Sequence, residues 1–144
     1  MTDIIQLQPR LVADLKLQGA QLGEVPKDGL VTHAHRMCQR GPAFAVLAAD
    51  GRMVAAGGLS ENHPHYATAW AMLGDDAGEA MTAITRAVRR VLAAGAYARV
   101  DTTVRSDFVQ GQRWARMLGF ARVGTMHKWG ADGSDHDLYE RVTR

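Results

Sequence analysis

The chain has 144 residues, 47% of them hydrophobic and 22% charged, which is the composition of one globular domain (1–144) with an ordinary core. Its single cysteine, Cys38, excludes an internal disulfide or a cysteine metal cluster. The net charge of +2 is uneven: residues 86–122 hold eight arginines against Asp101 and Asp107, whereas residues 1–85 hold six basic and nine acidic side chains.

Most of those arginines fall on outward helix faces, and no aromatic-basic interleaving accompanies them, so solvated charge is expected and no nucleic acid partner. The opening Met1-Thr-Asp-Ile-Ile-Gln lacks the basic and apolar blocks of a secretion signal. No apolar run approaches the ~20 residues that cross a bilayer, so the expectation is a cytoplasmic protein without a membrane partner.

Asp3 to Gln8 alternates weakly, as a first strand, and Pro9 suits the first turn of a helix carrying Leu11, Val12, Leu15 and Leu22. A second helix follows from Leu30, Val31, Ala34, Met37 and Cys38, with Gly41-Pro42 as its stop. Two apolar runs around Asp50-Gly51 predict antiparallel strands near 43–49 and 52–59, since Asp-Gly tolerates the positive φ of a tight hairpin turn. Gly57-Gly58 suggests a bulge or a close backbone contact. The polar stretch from Ser60 to Pro64 reads as a connection, and Tyr66 to Leu73 as the next strand.

From Glu79 the stripe Met81, Ile84, Val88, Val91, Leu92 predicts the strongest helix, with acidic residues at its start, arginines late and Gly95 as its cap. Arg99 to Val104 is a strand, so that the two strands flanking this helix form a parallel βαβ unit. Ser106 and Asp107 are candidate N-caps for a helix bearing Phe108, Gly111, Trp114, Ala115 and Leu118, stopped by Gly119. Strands from Ala121 to Trp129 and Leu138 to Val142 close the chain around Asp132-Gly133, a second hairpin signal.

This order of elements, with Trp114-Ala-Arg-Met-Leu-Gly-Phe120 and the following Ala121-Arg-Val-Gly, resembles the GCN5-related N-acetyltransferase (GNAT) superfamily over nearly the whole chain. The run from Arg113, with Asp132-Gly-Ser-Asp and Leu138-Tyr139 downstream, is similar to a phage and prophage branch that includes a particle-assembly protein. The resemblance implies an α/β fold: a mixed, mostly antiparallel sheet with helices on both faces and a central parallel βαβ pair that splays apart. It also implies acetyl-CoA in that splay and acetyl transfer to a primary amine, on a small molecule or a protein.

Carried over residue by residue, the pantetheine arm falls to the backbone of Met72, Leu73 and Gly74, and the pyrophosphate to Asp76, Ala77, Gly78 and Glu79. The family's cofactor loop reads Arg or Gln, two residues, Gly, one residue, Gly or Ala. Here it is the shorter Gly74-Asp-Asp-Ala-Gly-Glu79, and its three carboxylates are expected to oppose a second anion, with Arg105 as the nearest candidate to supply positive charge. Ser106 stands where family members often place an asparagine against the pantetheine.

Many members protonate the departing thiolate with a tyrosine at the position of Ala115. Water or another side chain, such as Tyr66 or Tyr139, would have to replace it. Glu61 and His65 are the candidate general bases, in a cluster with His63; a solvated polar loop is the competing reading. The pairs His63/His65 and His33/His35 do not supply the four ligands of a closed metal site, so no metal is expected. The departures leave a second expectation, a catalytically degenerate scaffold that contacts a phage structural protein, in the bacterial host cytoplasm or on the virion.

Overall fold

The computed structural model describes residues 3–17 and 29–143. Seven strands, β1 (Asp3–Gln6), β2 (Ala43–Leu47), β3 (Met53–His63), β4 (Tyr66–Leu73), β5 (Arg99–Arg105), β6 (Ala121–Met126) and β7 (His136–Val142), form one sheet in the order β1-β2-β3-β4-β5-β7-β6. Every neighbouring pair is antiparallel except β4 and β5, which are joined by the helix α2 (Met81–Ala93) and run parallel.

α1 (Leu30–Arg40) and a 3-10 turn, Pro9–Asp14, cover one face. There Leu7, Val12, Leu15 and Ala34 pack with Ala45, Met53, Ala56 and Met72. α2 and α3 (Val109–Met117) cover the other face over Leu59, Ala67, Val100 and Tyr139. The alternation of β4 follows, since successive side chains of a strand point to opposite faces: Ala67 and Ala69 join the α2/α3 side, and Met72 the α1 side.

The differences from the sequence expectations have local causes. The first helix is a single 3-10 turn as far as Asp14, and Leu22 lies outside the described residues. The polar stretch after Leu59 is strand, not connection: Ser60, Glu61 and His63 pair with Thr68, Ala67 and Tyr66, with a register shift between Glu61 and His63. Pairing partners decided this segment, which carries no apolar pattern of its own.

Gly58 needs its missing side chain because a Cβ there would collide with the Pro42 carbonyl and lie 3.1 Å from Trp70 Cζ2, so α1's exit can lie directly against β3. α3 begins at Val109 without a side-chain cap. Ser106 and Asp107, expected as caps, are engaged by Asp137 and Arg105 instead.

Candidate active site

β4 and β5 pair through only three positions, Tyr66 with Arg99, Ala67 with Val100 and Thr68 with Asp101. Beyond Thr68 the ladder stops and the strands diverge, opening a wedge. Thr102 Oγ1 donates to the Ala69 carbonyl (2.9 Å) at its apex. α2 stands behind the β4 wall and α3 behind the β5 wall, because each helix is connected to the C-terminal end of its strand.

At the apex, on the face away from α2 and α3, a carboxylate is buried. Asp101 is 8% exposed and accepts hydrogen bonds from Tyr66 Oη (2.5 Å) and Thr68 Oγ1 (2.9 Å). The hydrogen bond to Asp101, with burial behind it, holds the Tyr66 phenol above its ordinary pKa, so Tyr66 stays a proton donor to the carboxylate. Asn62 Nδ2 donates to Thr68 Oγ1 in turn (2.9 Å), while Arg99 pairs with Glu140 and lies over the Tyr66 ring, 5.5 Å from its centroid.

Register places Ser60, Thr68, Asp101 and Glu140 in one row across four strands. Ser60 Oγ and, one step along β4, Trp70 Nε1 are buried with no protein partner. This face therefore has unmet hydrogen-bonding capacity beside a carboxylate. Asp101 was not singled out from the sequence as a site residue. An acidic residue in mid-strand, directly after Val100 and away from the strand's ends, is the signal that marks it.

The expected site residues divide between the two ends of the wedge. Glu61 and His65 sit at the closed end, where Glu61 accepts from Tyr97 Oη (2.8 Å) and the His65 amide donates to His63 Nδ1 (3.2 Å). Tyr139 is fully buried, and its hydroxyl donates to Gln112 Oε1. Gln112 Nε2 donates to the Arg105 carbonyl (3.1 Å), so this chain of bonds fastens α3 to the end of β5. Ala115 is buried in the same cluster.

At the open end, the loop after β4 is pinned on its β3 side. Gly74 donates its amide to the Val54 carbonyl (2.8 Å) and Asp75 to the Lys16 carbonyl (2.7 Å). The alternation of an antiparallel pair then turns the backbone of Leu73, not that of Gly74, toward the wedge. Ala77–Ala80 forms a 3-10 turn that runs into α2; its i→i−3 pattern gives the Glu79 amide the Asp76 carbonyl, so of the first amides that of Gly78 has no acceptor within the helix. A Cβ at Gly78 would meet nothing within 4 Å, so the first turn is open on that side.

The carboxylates of this loop differ in their partners. Asp76 forms an ion pair with Arg52 from the β2–β3 hairpin. Asp75 and Asp76 line, with Lys16, Arg52 and Met53, a cavity of about 330 Å³. One of the three negative charges, that of Asp76, is thus compensated by a cation that the sequence places far away.

Arg105 is committed differently from the expectation, to Asp107 (2.9 Å) and Asp132 (3.1 Å). Ser106 Oγ donates to Asp137 Oδ1 (2.8 Å), which also accepts from Thr125 Oγ1 (2.7 Å), while Arg122 Nε reaches Asp137 Oδ2 (3.2 Å). Burial pushes the Asp137 carboxyl up, but these three donors outweigh it and hold its pKa below the ordinary carboxylate value. Among the described residues no group of three or more His, Cys, Asp or Glu is placed to hold a metal. No helix among them is long and apolar enough to cross a membrane.

This architecture, a mostly antiparallel sheet broken by one splayed parallel pair with α2 starting at the wedge, is the GNAT fold. Solved structures share it along nearly their whole length. Ard1 from Thermoplasma volcanium superposes with a TM-score of 0.79 at 18% identity, covering 99% of this chain and 98% of that one. An acetyltransferase of the GNAT family from Streptococcus pneumoniae gives 0.69 at 13% identity over 99% and 100% of the two chains. A variant of the spermidine N-acetyltransferase SpeG from Vibrio cholerae gives 0.69 at 15% over 98% and 93%. No family model and no curated protein sequence matches the chain. The expected phage branch, and with it virion association, finds no support in these likenesses.

Proposed function

We propose that the protein transfers an acetyl group from acetyl-CoA to a primary amine at the apex of the β4–β5 wedge. The observation that carries this reading is the coincidence of three features: the ladder ends at Thr68–Asp101, a buried carboxylate lies at that point, and the helix start opens at the other end. The likeness to proteins described as N-acetyltransferases, one of them acting on spermidine, points the same way.

In this reading the backbone of Leu73, rather than that of Met72 or Gly74, lines the pantetheine path, and the residues Asp76, Ala77, Gly78 and Glu79 lie around the pyrophosphate position. Of these, Ala77 already donates to the Gly74 carbonyl (3.1 Å) and Glu79 to the Asp76 carbonyl within the 3-10 turn, which leaves the amide of Gly78 as the main anion donor. Arg52 draws Asp76 toward the β3 side and lowers the cost of bringing in a second anion.

Acetyl-CoA supplies an activated thioester. Asp101 holds the incoming ammonium against its carboxylate and accepts the proton that frees the amine lone pair, while Tyr66 and Thr68 fix its two oxygens. Each oxygen keeps lone-pair capacity for that contact. The C–N bond forms as the C–S bond breaks, and the second proton that the nitrogen sheds passes through solvent at the wedge mouth to the departing thiolate. Tyr139 holds α3 in place, since its only hydrogen is given to Gln112. Glu61 and His65 border the closed end, with Glu61 on the face opposite to Asp101.

Calorimetric titration with acetyl-CoA and acetyl transfer to a panel of primary amines test the reading. Micromolar binding and turnover are expected. In Asp101→Asn, binding of acetyl-CoA should stay within about threefold while kcat falls by about 10²- to 10⁴-fold, the usual weight of a general base. Absence of heat at millimolar acetyl-CoA overturns the proposal. Full activity of Asp101→Asn with loss in Glu61→Gln returns the base to the closed end.

A further inference from the structure

The floor of the wedge carries one feature that neither the catalytic reading nor the cofactor positions use. α2 and α3 lie side by side, tied at two levels: Trp114 Nε1 donates to Thr85 Oγ1 (2.9 Å), and Arg89 donates from Nε (3.2 Å) and Nη2 (2.8 Å) to the Met117 carbonyl. The lower tie closes the helix ends. The upper tie sends an indole ring from the β5/α3 wall to the β4/α2 wall.

Trp114 packs against both clusters that make those walls. One contains Ala67, Val100 and Ala115, with Ala69 and Val104 packed on it; the other contains Leu73, Ala77, Ala80 and Ile84. The contrast in size matters. The two clusters mix small residues, Ala69, Ala77 and Ala80, with Leu73, Ile84 and Val104, and the indole is the largest side chain in either. Thr85 is buried, and its hydroxyl holds the half-buried ring by its one polar atom, so swinging the ring aside would take the donor from a buried hydroxyl.

We propose that Trp114 is the residue that sets the acyl length of the donor, confining the wedge to acetyl and similarly short acyl thioesters. This rests on the reading of the wedge as an acyl-CoA site and extends it to the class of donor. With the pyrophosphate at the start of α2 and the pantetheine along β4, the thioester comes to the apex. Two carbons fit there, whereas a longer chain must run back along the floor, into the volume the indole occupies. Packed side chains give way little to added methylenes, so exclusion by an anchored ring is steep in chain length.

The test compares CoA, acetyl-CoA and hexanoyl-CoA binding by calorimetry in the wild type, Trp114→Ala and Thr85→Val, with folding checked by circular dichroism. The wild type is expected to bind acetyl-CoA at least about tenfold more tightly than hexanoyl-CoA. Trp114→Ala should shrink that ratio by about tenfold or more, and leave affinity for CoA itself within about threefold, which a general loss of structure would not do. Thr85→Val keeps the side-chain volume and removes only the anchor, and should shrink the ratio in the same direction by a smaller factor. If Trp114→Ala does not fold, Thr85→Val decides. An unchanged ratio in a folded variant overturns the inference alone. Failure of the wild type to bind any of the three ligands overturns the acyl-CoA site and the inference with it.

Discussion

Asp137 offers a test of what holds the β5 wall of the wedge. It is 6% exposed and is the common acceptor for Ser106 at the end of β5, Thr125 and Arg122 on β6. Asp137→Ala removes all three contacts together. Hydrogen bonds to a charged group are worth about 1.5–3 kcal/mol each when net of water, but Arg122 is half exposed and resolvates, and burying the carboxylate itself is costly. A net loss of about 2–4 kcal/mol is expected. For a chain of this length that is a fall in Tm of roughly 6–12 °C.

The sign of the pH dependence follows from the lowered pKa of Asp137 in the folded state. A depressed carboxyl pKa stabilises the fold above the unfolded value of about 3.9, and the contribution is lost as pH falls through the lower, folded value. The gap in stability between wild type and Asp137→Ala should thus be full near pH 7 and narrow steadily below about pH 4. Thermal and urea unfolding at both ends of that range measure it. A gap under about 0.5 kcal/mol at pH 7, or an equal gap at pH 7 and at pH 2.5, would refute the assignment of Asp137 as an ionised anchor.

Two further outcomes are expected. Arg52→Ala should weaken acetyl-CoA binding about three- to tenfold at low salt, because Asp76 loses its counter-ion, with the deficit fading by roughly 0.5 M salt; equal Kd values at low salt would count against charge compensation at the loop. Gly58→Ala should destabilise the fold by about 2 kcal/mol or more in urea titrations, since the new Cβ meets the Pro42 carbonyl and lies 3.0 Å from Ala43 Cα, backbone atoms that cannot step aside; a neutral substitution would show that α1's exit is looser than it stands here.

Periodicity and turn chemistry determined the elements and their order. Tyr66–Leu73 alternates and is bounded by His-Pro-His and Gly-Asp-Asp, so its extent was readable to the residue. Asp50-Gly51 made a hairpin because Gly51 takes φ of 84°, and Gly119 ended α3 because it takes φ of 90°. The apolar stripe of α2 and the βαβ connection made β4 and β5 parallel, and the Leu-Gly-Phe ending completed a pattern that resembles one fold. Each of these signals lies within a few residues, where backbone sterics and burial of one face suffice to decide conformation.

What the tertiary structure alone decided is how charges and hydroxyls meet. Asp76 finds Arg52 through a hairpin, Asp101 finds Tyr66 thirty-five residues earlier, and Ser106 finds Asp137 thirty-one residues later. Single residues of this kind carry no period, so nothing local announces their partners. The same holds for Ser60–His63, which became strand because β4 offered it a ladder, and for Tyr139, whose hydroxyl was assigned to Gln112 by the approach of α3. Hydrophobic pattern selects the fold through many weak, redundant contacts. The site depends on a few directional ones, and these exist only once the strands have been set side by side.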